Sequence, residues 1–344
     1  MTRLSVILPC RNESLFLGPC LDTLLATRYP LDRLEVLIVD GMSDDGTRDV
    51  ALQYAERYPF IRLLDNPRRV VPTALNIGIG AATGDVIVRV DAHALYPAEY
   101  LPALVDALLR SGADNVGGRV VTLPQNESPE AWATAIALSH PFGVGNSRFR
   151  LAGSGKPCWV ETVPYGCWRR EVFQRVGGFD EELVRDQDDE FNYRLLRAGG
   201  KILLLPDVVS YYFARSSLRH TAMMMYQYGF FKPLVARKVG RVVTARQLAP
   251  PALVLGLLVG AALAPFSAVA AVLWGLLAGV YALAVLICAF TAGRSQGLRC
   301  ATALVTVFPS LHLAYGWGYL RGLWGARIMR GRRWRDPAAV PLTR

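Results

Sequence analysis

From Gln247 to Gly293 the chain contains no Asp, Glu, Lys or Arg. That uncharged stretch divides into two hydrophobic spans, roughly Ala249–Phe266 and Ser267–Ala292, joined by a tight turn at Ala264-Pro265-Phe266-Ser267. Each is near the ~20 residues needed to cross a hydrocarbon core of about 30 Å. Small residues recur every four positions in the first span (Gly256, Gly260, Ala264), a spacing that lets helices approach closely. A buried soluble hairpin is the alternative. A third apolar stretch, Cys300–Leu320, is interrupted by Pro309, His312, Gly316 and Gly318, with Tyr315, Trp317, Tyr319 and Trp324 towards its end.

Charge divides the chain in the same place. Residues 1–209 hold 22 Lys and Arg against 27 Asp and Glu, whereas residues 210–344 hold 16 against a single acid, Asp336. A nucleic-acid groove reader carries its cations on a polar surface, but here the basic half is also the apolar half, which suits a membrane. No nucleic-acid partner is expected; anionic membrane lipids are. Composition excludes a disordered chain, and the six cysteines form no C-x-x-C pair, so they read as small buried hydrophobes.

Arg237, Lys238, Arg241 and Arg246 precede the first span, Arg294 and Arg299 follow the second, and Arg327, Arg330, Arg332, Arg333 and Arg335 follow the third stretch. The turn between the first two spans has none, which places it outside. Two crossings plus a re-entrant or interfacial third segment satisfy this pattern. Ser217–Val235, with Met223, Met224, Met225, Tyr226, Phe230 and Phe231, reads as an amphipathic helix on the cytoplasmic leaflet, or else as a core helix. Met1-Thr2-Arg3 leads straight into a strand too short for a signal h-region. The expected organisation is a cytoplasmic domain over 1–214, an interfacial linker over 215–246, a membrane domain over 247–325 and a basic tail over 326–344. The expected location is the inner (plasma) membrane.

In the first half, apolar runs alternate with helical patterns: Leu4–Leu8 then Leu15–Thr27, Leu34–Val39 then Thr47–Tyr58, Ile61–Leu64 then Pro72–Ala82, Val86–Val90 then Pro97–Ser111. Such alternation specifies an α/β fold with a Rossmann-like, mainly parallel sheet, and ligands bind beyond the carboxyl ends of its strands. Three strand exits carry polar groups there: Pro9-Cys10-Arg11-Asn12-Glu13, Asp40-Gly41-Met42-Ser43-Asp44-Asp45-Gly46-Thr47 and Asp91-Ala92-His93. Each alone is ordinary turn or cap chemistry. Together they point to a binding edge. Asp91 and His93, two residues apart on a short turn, can both reach one divalent cation; a carboxylate with an imidazole suits Mn²⁺, whereas Mg²⁺ prefers oxygen.

Thr122–Thr162 is loop-rich. After it comes Val163-Pro164-Tyr165-Gly166-Cys167-Trp168, in which Tyr165, Gly166 and Trp168 are candidates for the acceptor side. A sharp turn at Gly177-Gly178-Phe179-Asp180 then leads to Gln187-Asp188-Asp189-Glu190, which opens an amphipathic helix. Capping explains part of that acidic run. One of these carboxylates is a candidate general base, its pKa raised by like-charged neighbours.

In this order, Pro9-x-Arg11-Asn12-Glu13, Val39-Asp40-Gly41-x-Ser43-x-Asp45-Gly46-Thr47, Ala74-Leu75-Asn76-x-Gly78, Thr83-Gly84-Asp85, Asp91-x-His93, Gly177-Gly178-Phe179-Asp180-Glu181 and Asp188-Asp189-Glu190-Phe191-x-x-Arg194-Leu195 resemble the family 2 glycosyltransferases, which have the GT-A fold. The resemblance covers residues 3–214 and is strongest to the membrane-anchored succinoglycan-type branch. It implies that Pro9, Arg11, Glu13 and Asp40 line a nucleotide pocket, with Asp40 facing the base. Asn76 and Asp85 would support the donor, and Asp91 would meet the ribose or the metal. His93 stands where the family has the second Asp of its D-x-D, a departure that bears on which metal is used. Asp189 matches the family's catalytic Asp, and Asp188 takes the place of its usual Glu.

The resemblance implies an inverting, metal-dependent transfer from a nucleotide-sugar, UDP by family default, onto a membrane-held acceptor such as a polyprenyl-diphosphate-linked saccharide. No Q-x-x-R-W sequence, the mark of the processive synthases, follows residue 195. Transfer straight onto polyprenyl phosphate is the nearest alternative, and a catalytically silent membrane scaffold is the alternative from another class.

Overall fold

The computed structural model describes residues 2–328 except Ala152, Arg215, Ser216 and Val243. The chain divides into two compact units: residues up to Val121 with Arg148–Tyr212, and Thr122–Ser147 with the chain from Phe213 onward.

In the first unit the alternating pattern becomes β1 (Leu4–Cys10), α1 (Ser14–Leu25), β2 (Leu34–Asp40), α2 (Thr47–Arg57), β3 (Ile61–Asp65), α3 (Val71–Ala81) and β4 (Val86–Arg89). The short β5 (Ala94–Leu95) and α4 (Tyr100–Ser111) follow, then β6 (Asn115–Pro124). β1 pairs in parallel with β2 and β4, and β2 with β3. Every residue of β1 and β2 is buried, as a parallel sheet covered on both faces requires. The two-residue side-chain period then separates two cores. Leu4, Val6 and Leu8 pack with Leu17, Leu21 and Leu104 on one face, while Ile7, Leu37 and Val39 pack with Leu75 and Phe191 on the other.

The rest of the sheet is antiparallel, which the loop-rich second half of the sequence did not reveal. After α5 (Pro129–Ala137), α6 (Pro141–Val144) and α7 (Arg148–Leu151) come β7 (Cys158–Trp159), β8 (Cys167–Arg169), α8 (Arg170–Val176), α9 (Gln187–Arg197) and β9 (Ile202–Ala214). The strand order is β3-β2-β1-β4-β8-β6-β9-β5, with β7 on β9. The α/β expectation therefore holds, with a sheet parallel in its first four strands and antiparallel beyond them.

At the amino end of the sheet the β2 residue Glu35 is buried. It accepts hydrogen bonds from Ser5 Oγ and the Thr83 backbone, from Thr83 Oγ1 at 2.8 Å and from Gly84 N at 3.3 Å. A side chain at Gly84 would put its Cβ 2.6 Å from Ser5 N, so only glycine lets the α3–β4 turn approach this closely. Burial disfavours the Glu35 charge, but the hydrogen bonds outweigh it and hold the carboxyl below its ordinary 4.5.

In the second unit α10 (Leu218–Val239), α11 (Ala249–Leu263), α12 (Ala268–Gly293) and α13 (Leu298–Ile328) pack together with α5. The third apolar stretch is part of one 31-residue helix with Pro309 inside it. Gly318 and Gly322 let α13 meet the backbone of α10 at Tyr226 and Phe230. α10 thus buries Thr221, Met224, Gln227, Phe231 and Leu234 on one face, which either of the two alternatives expected for it allows. Ala245–Phe266 and Ala268–Gln296 are long and apolar enough to cross a membrane. Their large side chains are mostly exposed (Phe266 86%, Val269 69%, Leu276 58%), the reverse of a soluble core helix. The expected basic tail with Arg330, Arg332, Arg333 and Arg335 lies outside the described residues.

Thr122–Ser147 differs from expectation. It folds with the C-terminal helices rather than with the sheet: α5 packs on α13, and Phe142 O lies 2.6 Å from His312 Nε2.

Glu35→Gln should lower stability at neutral pH by about 1–3 kcal/mol. Because the folded pKa is depressed, the wild-type contribution is full above about 4.5 and is lost as pH falls through the folded value. Thermal unfolding at pH 7 and pH 4 should show the variant's deficit shrinking in acid.

Candidate active site

The register of the parallel strands sets the site. Cys10, Asp40 and Asp65 stand level across β1, β2 and β3, and Ile7 stands level with Arg89 of β4. The residues that follow each strand therefore emerge at one edge.

The first two exits are stitched together. Asn12 N donates to Ser43 Oγ (2.8 Å), Asp44 N to Asn12 Oδ1 (3.0 Å) and Glu13 N to Thr47 Oγ1 (2.7 Å). Asn12 and Met42 both take left-handed backbone conformations (φ 53° and 57°) to allow this. Gly41 leaves room for the Arg11 side chain, whose Cβ would be 3.0 Å from a Cβ at that position. Pro9 is buried within β1. Asp40 is fully buried, accepting from Ser43 N and from Arg48 Nη1 (3.2 Å), so its carboxylate shapes the loop from beneath.

Glu13 and His93 face one another, Oε1 to Nδ1, at 3.4 Å, and His93 meets Tyr212 edge-on with centroids 5.2 Å apart. The backbone N–H of Asp91 donates to the Tyr96 hydroxyl at 2.7 Å, which fixes the turn.

The centre of the edge is Arg89, only 7% exposed. Its guanidinium reaches Asp91 Oδ1 (3.0 Å) and Asp188 Oδ1 and lies 5.8 Å from the Tyr165 ring centroid. Asp188 opens α9, so Arg89 joins the β4 exit to the acidic run. Burial pushes the Asp188 carboxyl up to about 6; Arg89 opposes the rise, while Asp91 and Asp189 add to it. Asp189 Oδ1 accepts from Thr162 Oγ1 at 3.2 Å.

Arg11, Glu13, Asp91, His93, Asp188, Asp189 and Tyr165 are thus brought towards one edge. Three expected residues are not. Asp85 immediately precedes β4 rather than following it, and its carboxylate accepts from Arg3 N at the opposite end of the sheet. Asn76 braces the Gly177-Gly178-Phe179 turn, accepting from Phe179 N (2.8 Å) and donating to Phe179 O (2.9 Å). Trp168 is 2% exposed among Phe173, Phe179 and Phe191, because the strand period turns it into the core. Gly166, at φ 102°, leaves space for the Trp168 ring. Arg89 was missed, although a lone arginine in the apolar run Val86-Ile87-Val88-Arg89-Val90 signals a buried charge that needs partners.

With this fold and edge described, comparison with known proteins assigns the class. The model of glycosyl transferase family 2 matches residues 5–177. The chain belongs to that family and is a glycosyltransferase. It is similar to the succinoglycan biosynthesis protein ExoA of Rhizobium meliloti, 33% identical over 226 residues that cover 65% of this chain and 67% of that one. A dolichyl N-acetyl-alpha-D-glucosaminyl phosphate 3-beta-D-2,3-diacetamido-2,3-dideoxy-beta-D-glucuronosyltransferase of Methanococcus voltae is 31% identical over 246 residues, covering 69% and 75%. Among solved structures, the mannosyltransferase PcManGT of Pyrobaculum calidifontis, in complex with GDP-Man and Mn²⁺, shares the GT-A-like fold: TM-score 0.58, 24% identity, 94% of this chain and 87% of that one.

Arg89→Ala would leave the carboxylates of Asp91 and Asp188 facing one another. Breaking one side of a buried ion pair costs about 3–5 kcal/mol. A drop of that size should appear in denaturant unfolding, together with loss of turnover.

Proposed function

We propose that this chain is an inverting, non-processive, divalent-cation-dependent glycosyltransferase. In this reading it moves a hexose from a nucleotide donor, UDP favoured, to an acceptor held at the inner membrane, a polyprenyl-diphosphate-linked saccharide. One observation carries the reading: Arg89 holds the donor-side Asp91 and the acid–base side Asp188 against a single guanidinium. Donor and base are thereby set next to each other, as a one-step displacement needs.

Arg11, Glu13 and the turn held by Asp40 line the nucleotide side. Asp91 and His93 are the cation's protein ligands. Among the described residues no group of three or more His, Cys, Asp and Glu side chains is arranged to hold a metal. Two ligands suit a hard cation that takes its remaining oxygens from phosphates and water. When bound, the cation would supply charge neutralisation for the departing diphosphate. Asp189 takes the proton from the acceptor hydroxyl, whose oxygen attacks the anomeric carbon as the nucleoside diphosphate leaves, and the single displacement inverts that centre. Tyr165 borders the acceptor approach. The exposed apolar faces of α11 and α12 support residence in the membrane, with the sheet unit on the cytoplasmic side.

A second reading is transfer onto polyprenyl phosphate itself. It is favoured by similarity to the undecaprenyl-phosphate 4-deoxy-4-formamido-L-arabinose transferase of Pseudomonas savastanoi, 33% identical over 154 residues. Product analysis separates the two, a monophosphate-linked sugar against a new glycosidic bond.

Titration of UDP and GDP into the protein in nanodiscs, with and without Mn²⁺ or Mg²⁺, tests the donor site. Metal should strengthen nucleotide binding and bind weakly without nucleotide, and Asp91→Ala with His93→Ala should abolish the metal effect. Equal affinity with and without metal would refute the cation's role. Asp189→Asn should lower turnover by about 10²–10⁴-fold with nucleotide affinity intact, because general-base help is worth that much. Near-normal turnover would remove Asp189 as the base.

A further inference from the structure

A chain of buried polar side chains runs to Asp189 that transfer chemistry alone does not explain. Asn115 on β6 and Asn192 on α9 are almost wholly buried, 0% and 2% exposed. Burying two amides is costly unless every polar atom finds a partner. Asn115 Oδ1 accepts from Cys167 N (3.2 Å), and its Nδ2 donates to Asn192 Oδ1 (2.8 Å). Asn192 Nδ2 then donates to Thr162 Oγ1 (2.9 Å) and Val163 O (3.3 Å).

The direction of this chain is fixed at both ends. A backbone N–H can only donate, so Cys167 N sets the amide orientation of Asn115. A carbonyl can only accept, so Val163 O sets that of Asn192. Thr162 Oγ1 therefore receives an N–H on one lone pair, and its single proton is directed to Asp189 Oδ1, 3.2 Å away. Asn192 lies three residues after Asp189, on the same helical face, so α9 presents both to Thr162.

We propose that Thr162, oriented by Asn192 and Asn115, is a positioning residue for the Asp189 carboxylate. It engages one oxygen in a fixed hydrogen bond and turns the carboxylate towards the incoming acceptor hydroxyl. The inference rests on the base role of Asp189 given above. It adds that a directional relay from the sheet reaches this carboxylate.

The test uses the full chain in nanodiscs of bacterial lipid extract, following UDP or GDP release from UDP-glucose, UDP-galactose or GDP-mannose, whichever the wild type turns over fastest. Thr162→Val keeps the shape and removes the hydroxyl, whereas Thr162→Ser restores it. Thr162→Val should lower kcat about 10- to 100-fold, the worth of a hydrogen bond to a charged group, with nucleotide affinity within about twofold. Thr162→Ser should recover most of it. In an Asp189→Asn background Thr162→Val should have little further effect. Independently of turnover, the carboxylate stretch assigned by the Asp189→Asn infrared difference spectrum should shift in Thr162→Val and return in Thr162→Ser.

Equal losses in Thr162→Ser and Thr162→Val, or an unshifted stretch, would overturn the inference. Loss of activity in Asp189→Asn with an unaltered Thr162→Val would overturn it while leaving the base reading intact. Normal turnover in Asp189→Asn would remove the base reading and this inference with it.

Discussion

The Arg89 guanidinium joins the β4 exit to the start of α9. A cation this deeply buried is tolerable only if its charge is met, and Asp91 and Asp188 meet it from two separate elements. The β4 exit and the start of α9 come from opposite halves of the unit and have no local reason to lie side by side. The ion pairs supply that reason, and the Tyr165 ring borders the same guanidinium. Burial, helped by the nearby Asp91 and Asp189 charges, pushes the Asp188 carboxyl up to about 6, and the guanidinium keeps it from rising further.

The remaining polar investment serves the same edge. Asp40 holds the Ser43 turn from below, and Asn76 does the same for the Gly177-Gly178-Phe179 turn. Loops bearing functional groups cannot rely on a hydrophobic core for their shape, so buried side-chain hydrogen bonds substitute for it. In the proposed reading Asp91 and His93 give a cation two protein ligands, which ties the completeness of that site to the donor itself.

Much of the parallel half was legible in the sequence. The run Leu4–Leu8 became Leu4–Cys10, and Thr47–Tyr58 became Thr47–Arg57, because apolar periodicity and the turn residues between runs specify these elements locally. Asp91, His93 and Glu13 were legible for the same reason: they follow strands directly. Asp85 was misplaced because a motif residue beside a strand has two ends to choose between, and only pairing shows which end faces the ligand. Trp168 was misplaced by the two-residue period, under which neighbours point to opposite faces. The antiparallel strands depend on partners far away in the chain, and the Asn115–Asn192 contact on residues 77 apart, for which no local pattern exists.

The allegiance of Thr122–Ser147 has a consequence for how the molecule is made. Its contact from Phe142 to His312 spans 170 residues. At a synthesis rate of about 5–20 residues per second, α5 leaves the ribosome roughly 10–30 s before its partner helix exists. Throughout that interval the segment interrupting the sheet's sequence lacks its main packing partner, α13. A contiguous fragment ending near residue 214 would make that wait permanent, carrying the sheet unit together with an α5 that has lost its main partner helix.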